Sequence, residues 1–287
     1  MQKRNAKPTP PRSDKKVASS KPRPPQPTRP DRREIKYHGI NACLAIWRQR
    51  PQDIIRVYLL EANIPRCTEF LKWVAAQRKA YHIVGNDDLE KLTESIHHQG
   101  ICVLALEPAP MRFDDLKRAL DADKGPQLLA FLDGVENPHN VGAILRTCAH
   151  FDVRFLLVEA RKLSSLSASA CRIAEGGAEH VALIGLVEPI TELKVLQKLG
   201  FRIAATSVTD GDPVYSHSFR RKTLLAMGAE QIGVSRATRK IADANITIPG
   251  TELVESLNVS AAFAVFAGEY FRQRHFGVAT NENTLHL

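Results

Sequence analysis

The sequence predicts an α/β protein in which two folded units follow a basic, proline-rich N-terminal tail. Three observations lead to this prediction. Short apolar runs alternate with helical patterns along most of the chain, three prolines interrupt residues 108–127, and residues 1–33 hold almost no large apolar side chains. Because buried strands separated by helices form sheets covered on both faces, we expect a mostly parallel sheet in the second unit.

Residues 1–33 carry the whole net charge of the chain. They contain eleven Lys/Arg and two acidic residues, so 11 − 2 = +9, which equals the formal charge of all 287 residues. Eight of the 17 prolines also lie there. Such a segment cannot bury enough surface to offset its chain entropy, so we predict a disordered tail. It would attract RNA phosphates without reading sequence, or serve only as a solubilising extension.

The remaining composition is that of a globular, intracellular protein. Hydrophobic residues make up 44% and charged residues 25%, no apolar run reaches the length of a membrane span, and the N-terminus has no apolar signal-peptide core. The five cysteines are scattered without a CxxC pair, which predicts reduced thiols, a cytoplasmic location and no metal site. These cysteines are Cys43, Cys67, Cys102, Cys148 and Cys171.

The first folded unit is predicted over residues 34–107 as a small α/β domain. Helical patterns cover 40–47 and 67–79, and apolar runs typical of strands cover 54–60, 81–84 and 101–106. Asp87 is a candidate cap for a helix over 88–92. The proline-containing stretch 108–127, with a short helix near 113–120, is interpreted as a linker.

The second unit is predicted over residues 128–277, followed by a C-terminal tail, 278–287. Apolar runs typical of buried strands recur at 128–132, 155–158, 181–184, 201–206, 224–227 and 246–248. Pro189 at its start and Gly200 past its end bound a helix over 190–199. A long helix rich in Ala and Phe is predicted over about 257–275.

The first candidate site motif is DGVENPHNVGAILRTC at 133–148, between a buried strand and a helix. Ligands of open α/β sheets bind beyond the carboxyl ends of the strands, where this motif lies. Asn140 is predicted to cap the helix. Arg146 points about 140° away from Val141 and its apolar face at ~100° per residue, so its guanidinium is free to meet a phosphate or ribose. A helix cap and a solvated arginine would explain the motif equally well.

Two further motifs follow strands in the second unit. MGAEQIG at 227–233 places glycines where the backbone can approach a ligand closely, although a plain turn would fit it too. IPGTELVESLNVS at 248–260 leads a Pro/Gly loop into a helix. There Ser256 is the predicted N-cap, and Asn258 and Ser260 are capping or ligand-contacting residues.

In this order, the three motifs resemble those of the SpoU/TrmH family of the SPOUT methyltransferases. Residues 34–107 also resemble the RNA substrate-binding domain of that family, through YHGINA at 37–42 and HHQG at 97–100. RKAYH at 78–82 and AEGGAEH at 174–180 are similar to its YfiF-type subgroup. The resemblance covers roughly residues 34–275.

The resemblance implies an RNA ribose 2′-O-methyltransferase whose C-terminal domain is a trefoil knot. It implies S-adenosylmethionine as cofactor, tRNA or rRNA as substrate, and a homodimer with the active site near the interface. By match to the motifs, the catalytic residues would be Asn140, Arg146, Glu230, Ser256 and Asn258. The cofactor contacts would be Thr206, Gly228, Ile248 and Leu257.

The motifs depart from the family pattern where glycine or methionine is usual. Gln231, Gly250 and Glu252 stand at these positions, and a side chain at 231 or 252 would crowd the cofactor or repel its carboxylate. A non-catalytic RNA-binding or ribosome-assembly protein on the same fold is therefore the alternative. The family proposal makes Arg146 the base, but a guanidinium holds its proton, so a clamp on phosphate and ribose oxygen is equally consistent.

Overall fold

The computed structural model describes residues 32–109, 111–162, 166–251 and 253–277. Most of the predicted tail (residues 1–31), Glu252 and the predicted C-terminal tail 278–287 lie outside the described residues. Arg32 and Arg33, which composition groups with the tail, belong to the folded unit that begins at Arg32. The Arg32 guanidinium binds the Asp53 carboxylate and the Glu107 carbonyl oxygen.

The first part of the chain forms a four-stranded sheet in the order β1-β4-β2-β3. β4 pairs antiparallel with β1 and β2, whereas β2 and β3 are parallel. The strands are β1 (Glu34–His38), β2 (Ile54–Leu59), β3 (Ala80–Ile83) and β4 (Ile101–Leu106). Three of these were predicted, and β1 was not.

Three helices accompany this sheet, namely α1 (Ile40–Gln49), α2 (Thr68–Ala76) and α3 (Asn86–Thr93). α3 begins behind Gly85, so Asp87 lies inside its first turn and the prediction of Asp87 as the cap is wrong. A carboxylate there still stabilises the helix, because it lies close to the positive end of the macrodipole.

The second part contains a seven-stranded sheet in the order β7-β6-β5-β10-β8-β11-β9, and every pairing in it is parallel. The predicted α/β class with a mostly parallel sheet is thus confirmed. The strands are β5 (Gln127–Asp133), β6 (Phe155–Glu159), β7 (Ala182–Leu186), β8 (Arg202–Thr206), β9 (Asp212–Pro213), β10 (Lys222–Gly228) and β11 (Ala244–Thr247).

Six helices are described around the larger sheet: α4 (Phe113–Ala122), α5 (Pro138–His150), α6 (Ala168–Ile173), α7 (Pro189–Lys198), α8 (Arg236–Ile241) and α9 (Val259–His275). As predicted, α7 begins at Pro189, and Gly200 follows it with φ +93°. α9 begins two residues later than predicted, because its cap is Asn258. No described helix is long and apolar enough to cross a membrane.

The strand order changes direction between β5 and β10. All seven residues of β5 are buried, and its partner β10 lies far away in sequence. Their carboxyl ends coincide, since Gly228 pairs with Asp133. In open α/β sheets a ligand site forms at such a switch point, beyond the carboxyl ends of the strands.

The two sheets belong to one compact unit. A single apolar core includes Tyr37 and Ile46 from the first part and Ile144 and Leu145 from the second. Helix α6 packs on β1, and α1 packs on the short turn Gly177–Glu179. The domain boundaries 34–107, 108–127 and 128–277, like the trefoil knot, stay predictions.

Candidate active site

The N-terminus of α5 is capped by a different side chain from the one predicted. Asn137 Oδ1 accepts a hydrogen bond from the His139 amide (2.9 Å), and Pro138 occupies the first helical position. Asn140 is buried inside the first turn. The prediction of Asn140 as the cap is therefore wrong, and its side-chain amide is available for contacts outside the helix.

Asn140, Glu230 and Asn258 converge although they come from three distant segments. Asn258 Nδ2 donates to Glu230 Oε1 (2.7 Å) and to Asn140 Oδ1 (3.0 Å). Asn140 Nδ2 donates to the same Glu230 Oε1 (3.1 Å). Because every pair of the three is bonded, the carboxylate is held where β5 and β10 end.

Asn258 also begins the last helix. Its Oδ1 accepts hydrogen bonds from the Ser260 amide (2.9 Å) and the Ser260 hydroxyl (2.6 Å). The prediction of Ser256 as the cap is wrong, since the cap lies two residues further on. Ser256 is exposed and has no hydrogen-bond partner within the described part of the chain.

Arg146 lies on the exposed side of α5, as its helical position predicts. Its guanidinium forms no hydrogen bond or ion pair with any described residue. It lies six positions after Asn140, which is about 9 Å along the helix axis. Arg146 is thus a free cation near the cluster of Asn140, Glu230 and Asn258, without being part of it.

The predicted cofactor residues lie along one edge of the larger sheet. Gly228 ends β10, Thr206 ends β8, and Ile248 directly follows β11. These strands are neighbours in a parallel sheet, so their carboxyl ends lie side by side. Thr206 Oγ1 donates to the Ala226 carbonyl (3.1 Å), and Leu257, next to the cluster, is half exposed.

The loop after β10 folds back tightly on itself. A side chain at Gly228 would overlap the backbone of Gly233 and Val234, so this position requires glycine. The Gly233 amide donates to the Ala229 carbonyl (2.7 Å), and the Ala229 amide donates to the Asp133 carbonyl (3.2 Å). A ligand at this loop would meet backbone groups at close range.

Asp133 opens the first candidate motif, but the sequence analysis gave it no role. Its Oδ2 accepts a hydrogen bond from the Ser235 amide (2.9 Å), and its carbonyl holds Ala229. The end of β5 is thereby tied to both ends of the loop after β10. An acidic residue closing an otherwise apolar, buried strand was the available signal, because burying a carboxylate demands a partner.

A cleft of about 510 Å³ opens beside this loop. Four acidic residues line it, namely Asp133, Glu136, Glu159 and Glu230. Gln231 also lines the cleft and is exposed, so its side chain does not fill it. Glu252, the other suspected obstruction, lies outside the described residues.

The chemistry of this edge fits S-adenosylmethionine. Carboxylates around the cleft favour a sulfonium cation. The loop between Gly228 and Gly233 offers backbone groups to an adenine ring and a ribose. One exposed apolar side chain also lines the cleft, namely Ile232, which is 82% exposed. Within the described ranges, no group of three or more His, Cys, Asp or Glu side chains converges on a metal site.

Comparison with protein families gives two matches in chain order. A model described as SpoU rRNA Methylase family matches residues 127–268. A model described as RNA 2′-O ribose methyltransferase substrate binding matches residues 38–111.

Curated relatives match over most of this chain. The protein named uncharacterized tRNA/rRNA methyltransferase YfiF of Escherichia coli O157:H7 is 36% identical over 84% of this chain and 68% of its own length. The 23S rRNA (guanosine-2′-O-)-methyltransferase RlmB of Bordetella pertussis is 32% identical over 82% of this chain and 96% of its own length.

Solved structures share the fold at lower identity. The SpoU methyltransferase AviRb of Streptomyces viridochromogenes, crystallised with AdoMet, has a TM-score of 0.68 and 20% identity over 84% of this chain and 90% of its own. A structure described as an RNA 2′-O ribose methyltransferase has a TM-score of 0.69 and 21% identity over 85% and 90%. With a substrate-binding part, a parallel sheet and the three motifs at its switch point, the chain belongs to the SpoU family of RNA methyltransferases.

Proposed function

We propose that the protein transfers a methyl group from S-adenosylmethionine to a ribose 2′-hydroxyl of tRNA or rRNA. The observation that carries this proposal is the convergence of Asn140, Glu230 and Asn258 at the switch point, beside the strand ends that carry Gly228 and Thr206. The names of the relatives support it, since they are tRNA/rRNA methyltransferases and 23S rRNA guanosine-2′-O-methyltransferases.

The cofactor would be held along the edge of the larger sheet, at Thr206, Gly228, Ile248 and Leu257. Bound there, it supplies an electrophilic methyl group on a sulfonium. The loop after β10 would lie beside it, and the acidic cleft at that loop, which is not lined by these four residues, would favour its positive charge. Ser256, exposed just ahead of the cluster, would face the bound ligands.

Glu230 would orient the reacting hydroxyl. Asn140 and Asn258 both donate to its Oε1, whereas its Oε2 accepts no hydrogen bond from the described residues. A 2′-hydroxyl would donate to Oε2, which directs an oxygen lone pair away from Glu230 and towards the methyl. Fixing that oxygen about 3 Å from the methyl supplies much of the rate.

Arg146 would bind the phosphate adjacent to the target ribose and polarise the 2′-oxygen. Its guanidinium is exposed and free of partners among the described residues, and a guanidinium is a stronger clamp than a base because it keeps its proton. The hydroxyl proton would pass to Glu230 Oε2 as the oxygen–methyl bond forms and the bond between the methyl and the sulfonium breaks. The same Arg146 cation would stabilise the negative charge that the 2′-oxygen gains as its proton leaves.

We also propose a cytoplasmic homodimer with the active site near the interface. The five cysteines are all free and buried, as suits a reducing compartment. Partly exposed Ala264, Val265 and Gly268 lie along one side of α9, which packs on α5.

The test is methyl transfer to total tRNA and rRNA, with nucleotide-resolution mapping of 2′-O-methyl groups in cells with and without the gene. One or more ribose positions should lose their methyl group in the deletion strain. Calorimetry with S-adenosylmethionine separates the alternative, since a non-catalytic RNA-binding protein would show no binding at millimolar cofactor.

Arg146→Lys tests the clamp. It keeps the charge but loses the planar fork, so we expect most of the activity to disappear while cofactor affinity stays within about twofold. Cofactor titration and single-turnover methylation measure the two effects. Wild-type turnover in this variant would remove Arg146 from the mechanism.

A further inference from the structure

Residues 175–179, here called the wedge, lie between the two parts of the chain. On one side the wedge contacts α1, which lies in the part matched as substrate-binding. On the other side it contacts α5, the helix that carries Asn140 and Arg146. The wedge lies within the AEGGAEH stretch, for which the proposed reaction has no role.

On the α1 side the wedge packs closely at Glu175 and Gly176. Glu175 Oε2 accepts a hydrogen bond from Asn41 Nδ2 (2.6 Å). Gly176 has φ +90°, and a Cβ there would lie 2.9 Å from the Ala45 Cβ and 3.2 Å from the Asn41 carbonyl oxygen. Only glycine tolerates both the positive φ and the lack of room for a Cβ, so the backbone of the wedge lies directly against α1.

An ion pair locks the end of the wedge to the end of α1. Arg50 Nε and NH2 donate to the two carboxylate oxygens of Glu179 (2.7 and 2.9 Å), and the two side chains are only 8% and 7% exposed. Arg50 also donates to the Leu106 carbonyl and lies 3.6 Å from Asp53. Burial opposes the charge on Arg50, but the hydrogen bonds and charge of Glu179 outweigh it and raise the pKa of Arg50.

On the α5 side the wedge touches the backbone beside Arg146. A Cβ at Gly177 would lie 2.9 Å from the Leu145 carbonyl oxygen, 3.0 Å from the Arg146 Cα and 3.2 Å from the Ala149 Cβ. Two of these are backbone atoms of a helix, which cannot move away singly. Any displacement of the wedge is therefore passed to α5 at Arg146.

We propose that the wedge is a positioning element, which fixes the RNA-binding part of the chain against α5 and so sets where Arg146 stands relative to bound RNA. The proposal rests on the proposed methyl transfer. RNA anchored on the first part must present one ribose to a site on the second part. A misplacement of about 1 Å costs ~100-fold in rate, so a fixed spacing between the parts would select the nucleotide that is methylated.

Gly177→Ala is the direct test. The added methyl group must push α5 by a few tenths of an ångström, and Gly177 has no positive φ that would strain alanine. We expect kcat for RNA methylation to fall about tenfold or more, while the KM for RNA and the Kd for S-adenosylmethionine stay within about threefold. The matched control is Gly85→Ala, whose nearest atom is a flexible side-chain oxygen at 3.6 Å, and its kinetics should equal those of the wild type.

Glu179→Gln is the second variant, and it loosens the wedge on its α1 side instead of its α5 side. It keeps the shape of the side chain but weakens the bond to Arg50. We expect methylation to spread to nucleotides next to the wild-type target, which sequencing-based mapping detects and a purely structural defect would not produce.

The outcomes separate the two proposals. A wild-type protein that methylates no RNA would contradict the proposed function. An active wild type combined with unchanged kcat in Gly177→Ala, or with an unshifted target in Glu179→Gln, would overturn the positioning role. So would a fall in kcat that merely matches the loss of folded protein, measured by circular dichroism at the assay temperature.

Discussion

Asn258 has two roles that act through different atoms of one amide. Its Oδ1 accepts the Ser260 amide and caps α9, while its Nδ2 donates to Glu230 and Asn140. The cap contributes to stability and the donor to the order of the site. A substitution that keeps the Oδ1 acceptor but removes the Nδ2 donor therefore tests the second role without losing the helix cap.

Asn258→Asp is predicted to abolish most activity with little loss of stability. Aspartate is as good a cap as asparagine, but it replaces the Nδ2 donor, 2.7 Å from Glu230 Oε1, with a carboxylate oxygen. Repulsion would move Glu230 out of place. Single-turnover methylation and thermal melting measure the two effects.

Asn258→Ser is the matched control for that substitution. Serine caps a helix and brings no charge, so Glu230 would lose one donor without being repelled. We expect activity between those of the wild type and Asn258→Asp. Equal activity in Asp and Ser variants would contradict the role of charge at this position.

At the scale of residues, the sequence predicted three residues that the structure brings together, Asn140, Glu230 and Asn258, but not all of their local roles. Asn140 and Ser256 were predicted as caps, and the structure uses Asn137 and Asn258 instead. Capping rules rest on side-chain chemistry that neighbouring polar residues share, so a one-turn ambiguity remains. The contact of Asn140 with Glu230 depends on tertiary structure, which no local rule contains.

Two glycines on helices test how tightly the elements pack. A Cβ at Gly142 in α5 would lie 2.6 Å from the Ala170 carbonyl oxygen and 2.8 Å from the Ile173 Cβ of α6. At Gly268 in α9 the nearest atom is Phe151 Cζ at 3.5 Å, an ordinary contact.

Gly142→Ala and Gly268→Ala are therefore predicted to change the free energy of unfolding in opposite directions. The first should lower the free energy of unfolding by about 1–3 kcal/mol, because overpacking outweighs the gain in helix propensity. The second should raise it by about 0.5–1 kcal/mol. Urea denaturation measures both, and stabilisation by Gly142→Ala would show that α5 and α6 are not closely packed.

Asp243, which follows α8, accepts hydrogen bonds from α7 and β8. Burial would raise the pKa of its carboxyl, but hydrogen bonds from the Ile203 amide (2.9 Å), Gln197 (3.0 Å) and Arg202 (2.7 Å) outweigh it, and the pKa is lowered from 3.8. A carboxyl whose pKa is lowered by folding stabilises the protein fully at a pH above its unfolded-state pKa. That stabilisation is lost as the pH falls through the pKa of the folded state.

Asp243→Asn should therefore destabilise the protein at neutral pH by about 1 kcal/mol, since the charged acceptor is lost but is partly solvated. The difference from the wild type should shrink below the ordinary carboxyl pKa of 3.8. Urea midpoints across the acid range measure it. A difference that stays constant with pH would mean that the charge of Asp243 contributes nothing.

Helices and strands with a regular pattern of apolar residues could be predicted from the sequence, whereas strands rich in polar residues could not. The apolar run at 101–106 is β4, and the pattern at 190–199 is α7 within one residue at each end. β1, with the sequence EIKYH, was missed because three of its five residues are polar and it lies at the edge of its sheet. The two-residue β9 offers no pattern at all.

For the whole molecule, the class of fold followed from the order of strands and helices, but the strand order did not. Pairing of β5 with β10 joins residues 95 positions apart (222 − 127 = 95), and no local pattern encodes it. The contact between α1 and residues 177–179 likewise depends on how the two parts pack. The motifs were recognisable because each follows a strand, and the structure explains why they lie close together, since those strands end at one edge.

Residues 1–31, which lie outside the described residues, carry most of the net positive charge of the chain. Residues 1–31 hold nine Lys/Arg and two acidic residues, a net 9 − 2 = +7. Each RNA phosphate that they neutralise adds about 0.7–0.9 to the slope of log K against log salt. Removing them should weaken RNA binding at low salt and flatten that slope, while affinity for S-adenosylmethionine stays unchanged. Replacing the nine basic residues with Gln controls for length and should have the same effect. An unchanged slope would make this segment a solubilising extension, and the RNA contacts would then lie wholly in the folded unit.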